Sequence, residues 1–540
     1  MHIAFAWAKK TIFSTLFQCV IIIMALLIWY GFFLFHPIDL IPADLGRHLK
    51  NGELLLSGTA GWQSLLHTNF YSAHFSDFPF INHHWGSGVI FFALYRLGSF
   101  SLLSIFLIVV SLATLFFVFD AARKTVGLFT AALLAFFLVP LLAERTEVRP
   151  EIFTYFFSAL FWWALFNYRD GKFSVRILFL LPLLQLLWVN LHIYFFMGPL
   201  LVGVFWLEAL VLSRRERDPA VAGEKNRQRI KELTAALIAV ILTNLINPSG
   251  LAGVLYPLRI FGNYGFAVAE NQSVATVGAR DSLYTNLLVF KLAFFGLLGA
   301  FVVAFLKRRR QFSVGYFLLM VLVSFLAWRS VRNLTLFALL ALPVAAELGK
   351  LLFPKPLTSK RRLLLLGGLA AFIILATIWI SRARIVETFK VNGLGLRKAN
   401  SAAADFILKN NISGPLFNDF DIGGYAIFYL YPKLHPFTDN RPEAYPAKFF
   451  TETYVPMQTD EKIWRTKEKE YGFTTILYSF QDRAPWAVPF IIERLLDPSW
   501  APVFTDQYAI VFLKRNPQNA ELIKKFEIPR DRFGVERTAT

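Results

Sequence analysis

The chain has 540 residues, of which 56% are hydrophobic, and its mean hydropathy is +0.51. Both values lie above the range of ordinary soluble proteins, so a soluble globular enzyme is excluded. The formal net charge of +19 could indicate a nucleic-acid partner. Much of the positive excess, however, lies in short loops between apolar runs, which is typical of membrane proteins and argues against nucleic acid.

The apolar runs are the main structural signal. Their lengths of roughly 17–25 residues match what a helix needs to cross the hydrocarbon core of a bilayer. We predict a polytopic α-helical membrane protein with about eleven transmembrane helices, at about 11–35, 101–119, 126–143, 151–167, 176–190, 193–213, 233–246, 285–306, 312–328, 333–348 and 363–381. The first run is too long for a signal-peptide core and is predicted to be retained.

Basic residues predict the orientation. Lys9 and Lys10 precede the first run, which puts the N-terminus in the cytoplasm. With alternating spans, the loops rich in Lys and Arg then fall on the cytoplasmic side, among them 214–231, 307–310 and 355–362. The single cysteine, Cys19, lies inside the first run, so it excludes an intrachain disulfide and a metal site built from several cysteines.

The composition divides the chain into two domains. Residues 1–381 form the predicted membrane domain, with a first extracytoplasmic loop at about 36–100. After residue 382 the apolar runs become short: 474–478 and 509–513 are typical of strands, and 402–408 is typical of a helix. We therefore predict a soluble α/β domain at 382–540, on the extracytoplasmic face because an odd number of spans precedes it.

The predicted orientation places six polar clusters on the outer face of the membrane. Ionisable groups near membrane depth are costly and usually mark a functional site. The clusters are Asp44–His48, Asn82–Trp85, Glu144–Glu151, Asn190–His192, Asn247–Gly250 and Arg329–Asn333.

Asp44 is the foremost candidate for catalysis. A carboxylate in a water-accessible pocket can accept the proton of an attacking hydroxyl. His48 follows one helical turn later and would share its face. The alternative is that Asp44 only caps the helix predicted at 45–55, a role that aspartate fills well.

His83 and His84 could bind a divalent metal with Asp44 and His48. Adjacent residues cannot both face one point on a regular helix, so hydrogen bonds to a sugar or phosphate are favoured over a metal. Trp85 beside them suits either the face of a sugar ring or an interfacial anchor.

Four arginines are further candidates for a binding site, in this case for an anion. Arg145 or Arg149 could bind a phosphate through a fixed guanidinium fork, or could belong to a solvated loop with neighbouring ion pairs. Arg329 and Arg332 stand at the outer end of a span, against the charge bias, so a bound anion or an acidic partner is expected there.

The remaining polar clusters can each be interpreted in two ways, as structural or as functional. Residues 190–192 and 247–250 contain the Asn, Pro and Gly that ordinarily end helices. In the soluble part, Asp419, Asp421 and Asp439 follow short apolar runs and could bind an acceptor or a metal, or simply form turns.

Several short motifs together resemble the GT-C superfamily of polytopic glycosyltransferases, near the protein O-mannosyltransferase and aminoarabinose transferase group. They are Asp44 with His48 and Gly52, Asn82–Trp85, Arg149-Pro150, Asn190–His192, Asn247–Gly250, Gly423–Tyr425 and Asp439–Arg441. Two positions depart from the pattern: Leu45 replaces the second acid of the mannosyltransferases, and His84 stands where many relatives carry Glu.

The resemblance implies a bacterial inner-membrane enzyme that transfers a sugar from a polyprenyl-phosphate donor, with inversion, on the extracytoplasmic face. The acceptor is a lipid, a glycan or a protein, membrane lipids are partners, and a divalent metal is an open alternative. The catalytic residues predicted are Asp44, His48 and His84. The substrate-binding residues predicted are Arg47, His83, Trp85, Arg145, Arg149, His192, Arg329, Arg332, Asp439 and Arg441.

Two other functions stay open at this point. A transporter or flippase for a lipid-linked or small polar substrate would place ionisable residues near mid-span and would show related halves. A scaffold whose outer domain binds a partner would need neither so many spans nor paired outer arginines.

Overall fold

A computed structural model describes residues 2–215, 222–262, 264–280, 286–354 and 360–534. Parts of two loops predicted to be cytoplasmic, 216–221 and 355–359, lie outside these ranges. The membrane part is built of helices α1 (His2–Leu34), α2 (Leu45–Ser57), α3 (Trp62–His67), α4 (Trp85–Val126), α5 (Leu128–Leu142), α6 (Glu151–Arg169), α7 (Arg176–Leu191), α8 (Met197–Arg215), α9 (Ala222–Thr243), α10 (Gly250–Leu255), α11 (Val274–Arg280), α12 (Asn286–Arg308), α13 (Val314–Arg329), α14 (Leu334–Leu352), α15 (Lys360–Ile380) and α16 (Arg382–Lys390).

The apolar helices confirm a polytopic membrane protein. Among the described residues, five helices are individually long and apolar enough to cross a bilayer: Phe17–Leu34, Trp85–Val126, Ile193–Arg215, Asn286–Gln311 and Val331–Leu352. A sixth is added if Gly367–Ile380 and Arg382–Lys390, bent by 55°, form one span. Each of the eleven predicted runs coincides with a helix, but several helices, such as α5, α7 and α13, are shorter than a full span. The number eleven stays a prediction.

Helix α4 is broken at the point where the predicted first loop ends and the next predicted membrane span begins. Ser99 adopts a φ of +56° and Gly98 is also non-helical, so the helix is kinked there. The kink falls at the predicted end of the first loop, about residue 100. The half before it lies over α2, and the half after it enters the bundle, where α14 is the most buried of the five apolar spans.

The C-terminal part contains a small mixed sheet. Its strands are β1 (Leu416–Asn418), β2 (Thr475–Ser479), β3 (Trp500–Thr505) and β4 (Ala509–Lys514), in the order β1-β2-β4-β3, with β1 parallel to β2 and the other pairs antiparallel. Its helices are α17 (Ala402–Lys409), α18 (Gly423–Leu430), α19 (Val455–Thr459), α20 (Glu461–Tyr471), α21 (Ala487–Leu496) and α22 (Ala520–Phe526). The strands predicted at 474–478 and 509–513 and the helix at 402–408 are confirmed.

Glycines allow α2 to lie tightly between the two parts. A Cβ atom at Gly46 would collide with the carbonyl oxygen of Gly424 in α18, and one at Gly52 would collide with that of Gly88 in α4. The loop before α2 is also anchored, because the carboxylate of Asp39 accepts hydrogen bonds from the side chains of Arg397 and Asn400, each at 2.9 Å. The first loop, the membrane helices and the C-terminal part therefore meet at the start of α2.

Candidate functional site

Asp44 occupies the N-cap position of α2, but its side chain makes no capping hydrogen bond. Oδ2 lies 3.4 Å from Nε2 of His48 and 3.7 Å from Nη2 of Arg47, and Oδ1 lies 3.6 Å from Nε of Arg149. Burial alone would raise the pKa of Asp44, but Arg149, His48 and Arg47 hold it well below its ordinary value. The group is an ionised carboxylate, and at 25% exposure its side chain is reachable from outside.

Behind Asp44, the side chains of Arg47 and His48 are buried. Within the described chain, Nε and Nη1 of Arg47 and Nδ1 of His48 are buried without a hydrogen-bond partner. Buried polar atoms are nearly always paired in folded proteins, so these three atoms mark a place where a polar ligand would be favourable. Burial, and then the charge of Arg47, lowers the pKa of His48 to about 4, so the imidazole is neutral.

Four histidines lie together beside Asp44. The ring centroid of His84 is 5.5 Å from that of His48, 5.2 Å from that of His192 and 6.3 Å from that of His83. Burial lowers the pKa of His83 to about 3. His83 and His84 precede α4, so the geometry of a regular helix does not keep them apart.

The imidazoles suit hydroxyl groups better than a metal. A neutral imidazole has one donor and one acceptor, as a sugar hydroxyl does, and in the described ranges the Nε2 atoms of His83 and His84 are buried without a partner. No three His, Cys, Asp or Glu side chains of the described residues are placed to hold one metal ion. Because Thr154 and the backbone N–H of Tyr194 approach Nδ1 of His192, the proton of that ring lies on Nε2.

Trp85 is oriented by the neighbouring helix end. Its indole N–H donates to Oδ1 of Asn190 at 3.1 Å, and the side chain of Asn190 also donates to the carbonyl of Ile246. Asn247 accepts from the N–H of Ser249 and donates to the carbonyl of Gly250. Asn190 therefore ties Trp85 to the chain just before residues 247–250, and Asn247 closes the turn that those residues form.

The arginines predicted to bind phosphate form an ionic cluster with two glutamates. Arg145 donates to Glu151 at 3.0 Å and to Glu270 at 2.8 Å, and Arg149 donates to the same oxygen of Glu270 at 2.8 Å. Arg332 pairs with Glu151 and lies 3.7 Å from Glu270. Since Arg149 also faces Asp44, the ionic cluster and the Asp44 site are continuous.

Glu270 was not identified from the sequence. It lies in a loop between α10 and α11, in no motif, and only the chain's fold brings it to the arginines. Burial alone would raise the pKa of Glu270, but Arg145, Arg149 and Arg332 hold it below the ordinary value. Its charge therefore partly neutralises the cluster.

Three of the predicted binding residues, Arg329, Asp439 and Arg441, lie outside the ionic cluster. Arg329, at the end of α13, is exposed, whereas Arg332 belongs to the ionic cluster, so the two arginines do not form one unit. Asp439 is fully buried and binds Arg441 through both carboxylate oxygens, at 2.7 and 2.6 Å. Arg441 also donates to Asn69 at 2.7 Å. This ion pair therefore joins the C-terminal part to the first loop.

Asp419 and Asp421 are the other two acidic residues that the sequence indicated in the C-terminal part. Burial and the nearby Asp482 raise the pKa of Asp421 to about 7, while Arg149 acts in the opposite direction. Asp419 is fully buried and accepts from the N–H of Ser479 at 2.7 Å. Asp419 therefore stabilises the loop after β1.

Cavities at the site are small. One, of about 20 Å³, is lined by Arg145, Glu151 and Tyr155, and another, of about 10 Å³, by His83 and Trp85. Each has room for about one water molecule. Neither cavity has room for a sugar or a phosphate as its side chains now stand.

Comparison with known proteins gives no match to any protein-family model or any curated protein. Solved structures do match. The oligosaccharyltransferase of Archaeoglobus fulgidus, with a tethered acceptor peptide, gives a TM-score of 0.58 at 11% identity, covering 93% of this chain and 74% of that chain. ArnT of Cupriavidus metallidurans in the apo state gives 0.52 at 13% identity, covering 96% and 100%. Both are GT-C glycosyltransferases. This chain has a GT-C-like fold.

A third structure extends the comparison. Archaeoglobus fulgidus AglB in complex with an inhibitory peptide and a dolichol-phosphate has a TM-score of 0.56 at 12% identity, covering 94% of this chain and 75% of that chain. The GT-C resemblance of the short sequence motifs is therefore confirmed for the fold, across almost the whole chain. The roles of individual residues stay predictions.

Proposed function

We propose that the protein is a membrane glycosyltransferase that transfers a sugar from a polyprenyl-phosphate donor to an acceptor on the extracytoplasmic face, with inversion. The observation that carries this proposal is the contact between Asp44 and Arg149, which places a carboxylate beside a three-arginine cluster. An alcohol acceptor needs a base, and a departing phosphate needs cations. Here the two requirements are met at adjacent positions.

The fold supports the choice of donor. The structural neighbours are glycosyltransferases, and one of them is in complex with a dolichol-phosphate. In this proposal Arg145, Arg149 and Arg332 bind the donor phosphate. Glu270 holds the same arginines through its carboxylate, so the phosphate replaces it as their anionic partner.

The sugar occupies the histidine side of the site. His48, His83, His84 and His192 are neutral, the first three present unpaired nitrogen atoms to sugar hydroxyls, and Trp85 covers a ring face. Asp44, between the histidines and the arginines, is the carboxylate that accepts the proton of the acceptor hydroxyl in this proposal. Asp439 and Arg441 position the first loop from behind.

The experiment that separates an enzyme from a transporter uses purified full-length protein in lipid nanodiscs. We expect a panel of polyprenyl-phosphate sugars with alcohol acceptors to yield free polyprenyl phosphate, measured by chromatography and mass spectrometry. A transporter would bind the lipid and move it across a vesicle bilayer without cleaving it. Transbilayer movement without any cleavage would overturn the proposal.

The proposed orientation has its own test. Arg227, in α9, and Glu452, in the C-terminal part, are both exposed. In a variant whose Cys19 is replaced by Ser, we expect a membrane-impermeant thiol reagent applied to intact spheroplasts to label Glu452→Cys and not Arg227→Cys, because loop charge places residue 227 in the cytoplasm. Permeabilised cells, in which both sites should react, are the control. The opposite labelling would contradict the orientation.

A further inference from the structure

A second cleft lies at the end of the helix bundle opposite the Asp44 site. It has a volume of about 430 Å³ and is lined by the ends of α12, α13 and α14, including Phe301, Arg308, Tyr316, Glu347, Lys350 and Leu351. A single water occupies about 30 Å³ of liquid, and pockets for organic ligands begin at about 300 Å³. The cleft is therefore large enough for an organic ligand, unlike the cavities at the Asp44 site.

Helix length places this cleft at the opposite membrane face. Helix α12 begins at Asn286, which donates to Glu144 beside the ionic cluster. Arg308, at its other end, is about 33 Å away at 1.5 Å per residue. Helix α14 likewise begins near Arg332, and Lys350 lies about 24 Å along it. Both helices are apolar enough to span a bilayer, so the cleft lies near the depth of lipid head groups.

The wall of the cleft next to α6 carries a compensated charge. Arg169 donates to Glu347 at 2.8 Å and to the hydroxyl of Tyr316 at 2.6 Å. The carboxylate of Glu347 also accepts from Thr125. A negative charge held in this way gives no net attraction for a cationic ligand.

The opening of the cleft is cationic. Arg308 and Lys350 are exposed there, and neither forms an ion pair within the described ranges. Phe301 and Leu351 supply an apolar surface beside them. On the outside of the same helix ends, Phe305, Leu306 and Phe353 are exposed large hydrophobic residues, which suits contact with acyl chains. The cleft thus combines two cations with an apolar surface that continues to the lipid.

We propose that this cleft binds an anionic phospholipid, with its phosphate between Arg308 and Lys350 and an acyl chain along Phe301 and Leu351. Basic pockets between transmembrane helices bind the head groups of acidic lipids through these same interactions. A free phosphate would use the two cations but not the apolar surface. The site is separate from the donor site and does not depend on the proposed glycosyltransferase activity.

Native mass spectrometry of the full-length protein in a neutral detergent tests the proposal. We expect phosphatidylglycerol to be retained and phosphatidylcholine to be lost. Each cation near a membrane surface contributes about a fivefold gain in affinity, so the double variant Arg308→Gln, Lys350→Gln should weaken phosphatidylglycerol binding by about 25-fold. The matched control is Lys307→Gln, Arg309→Gln, which removes the same charge from neighbouring residues that do not line the cleft.

Three results would overturn the inference. They are equal retention of both lipids, an equal loss in the control variant, and displacement of the lipid by millimolar inorganic phosphate, which would identify a simple anion site. Circular dichroism checks that the double variant is folded. If it is not, the single variant Lys350→Gln, with an expected loss of about fivefold, decides the question together with the lipid and phosphate competition on the unchanged protein.

Discussion

Replacing Asp44 by Asn should reduce turnover by about 10²- to 10⁴-fold, the usual contribution of a positioned general base. The substitution keeps the shape of the side chain and removes the proton acceptor. Helix capping is no longer a competing explanation, because the Asp44 side chain caps nothing in the structure. Since its neighbours hold the pKa of Asp44 well below the ordinary value, its protonation should not limit the rate until the pH falls below the usual carboxyl range.

The donor affinity of the Asp44→Asn variant distinguishes a catalytic role of Asp44 from a structural one. Asp44 faces Arg149 at 3.6 Å, so a purely structural Asp44 would alter phosphate binding when it is lost. We expect donor binding, measured by titration of a polyprenyl phosphate, to change far less than turnover. Asp39→Asn is the matched control, because it removes a carboxylate that anchors the same loop through Arg397 and Asn400. It should lower thermal stability and leave turnover within tenfold. An Asp44→Asn enzyme with more than about half of the normal rate would end the catalytic assignment.

Replacing Arg332 by Ala should weaken donor binding by about 1.5–3 kcal/mol, the range for a hydrogen bond to a charged group, or about 10- to 150-fold in Kd. Arg145 still pairs with Glu151 in this variant, through contacts of 3.0 to 3.2 Å, so Glu151 keeps a cationic partner. Donor affinity is measured by equilibrium binding in nanodiscs, and thermal unfolding reports any loss of structure.

Arg329→Ala provides the control for Arg332. The two arginines lie at the same helix end, but Arg329 is exposed and Arg332 belongs to the ionic cluster. We expect Arg329→Ala to bind the donor as the unchanged protein does. If Arg332→Ala also bound normally while its unfolding temperature fell, Arg332 would have a structural role only. Equal weakening in both variants would instead indicate a general effect of surface charge.

The sequence by itself determined the class of the protein and the positions at which polar clusters interrupt its apolar runs. Hydropathy is a local property, so apolar runs such as 101–119 and strand patterns such as 509–513 identified their elements before any fold was known. The GT-C resemblance rested on short motifs at the ends of such runs. The sequence did not show which apolar runs form complete membrane spans. Helices α5, α7 and α13 are shorter than a full span.

The partners of the charged groups were decided only by the tertiary structure. A charge at membrane depth needs a partner, but the sequence does not say which one, since burial cost depends on what packs against it. Thus Glu270 reaches Arg145 and Arg149 from a loop without a motif, Arg329 stays exposed, and Arg441 pairs with Asp439. Asp44 was recognised from its position in the chain, but only the packing of the first loop against Arg149 made it part of an ionic site.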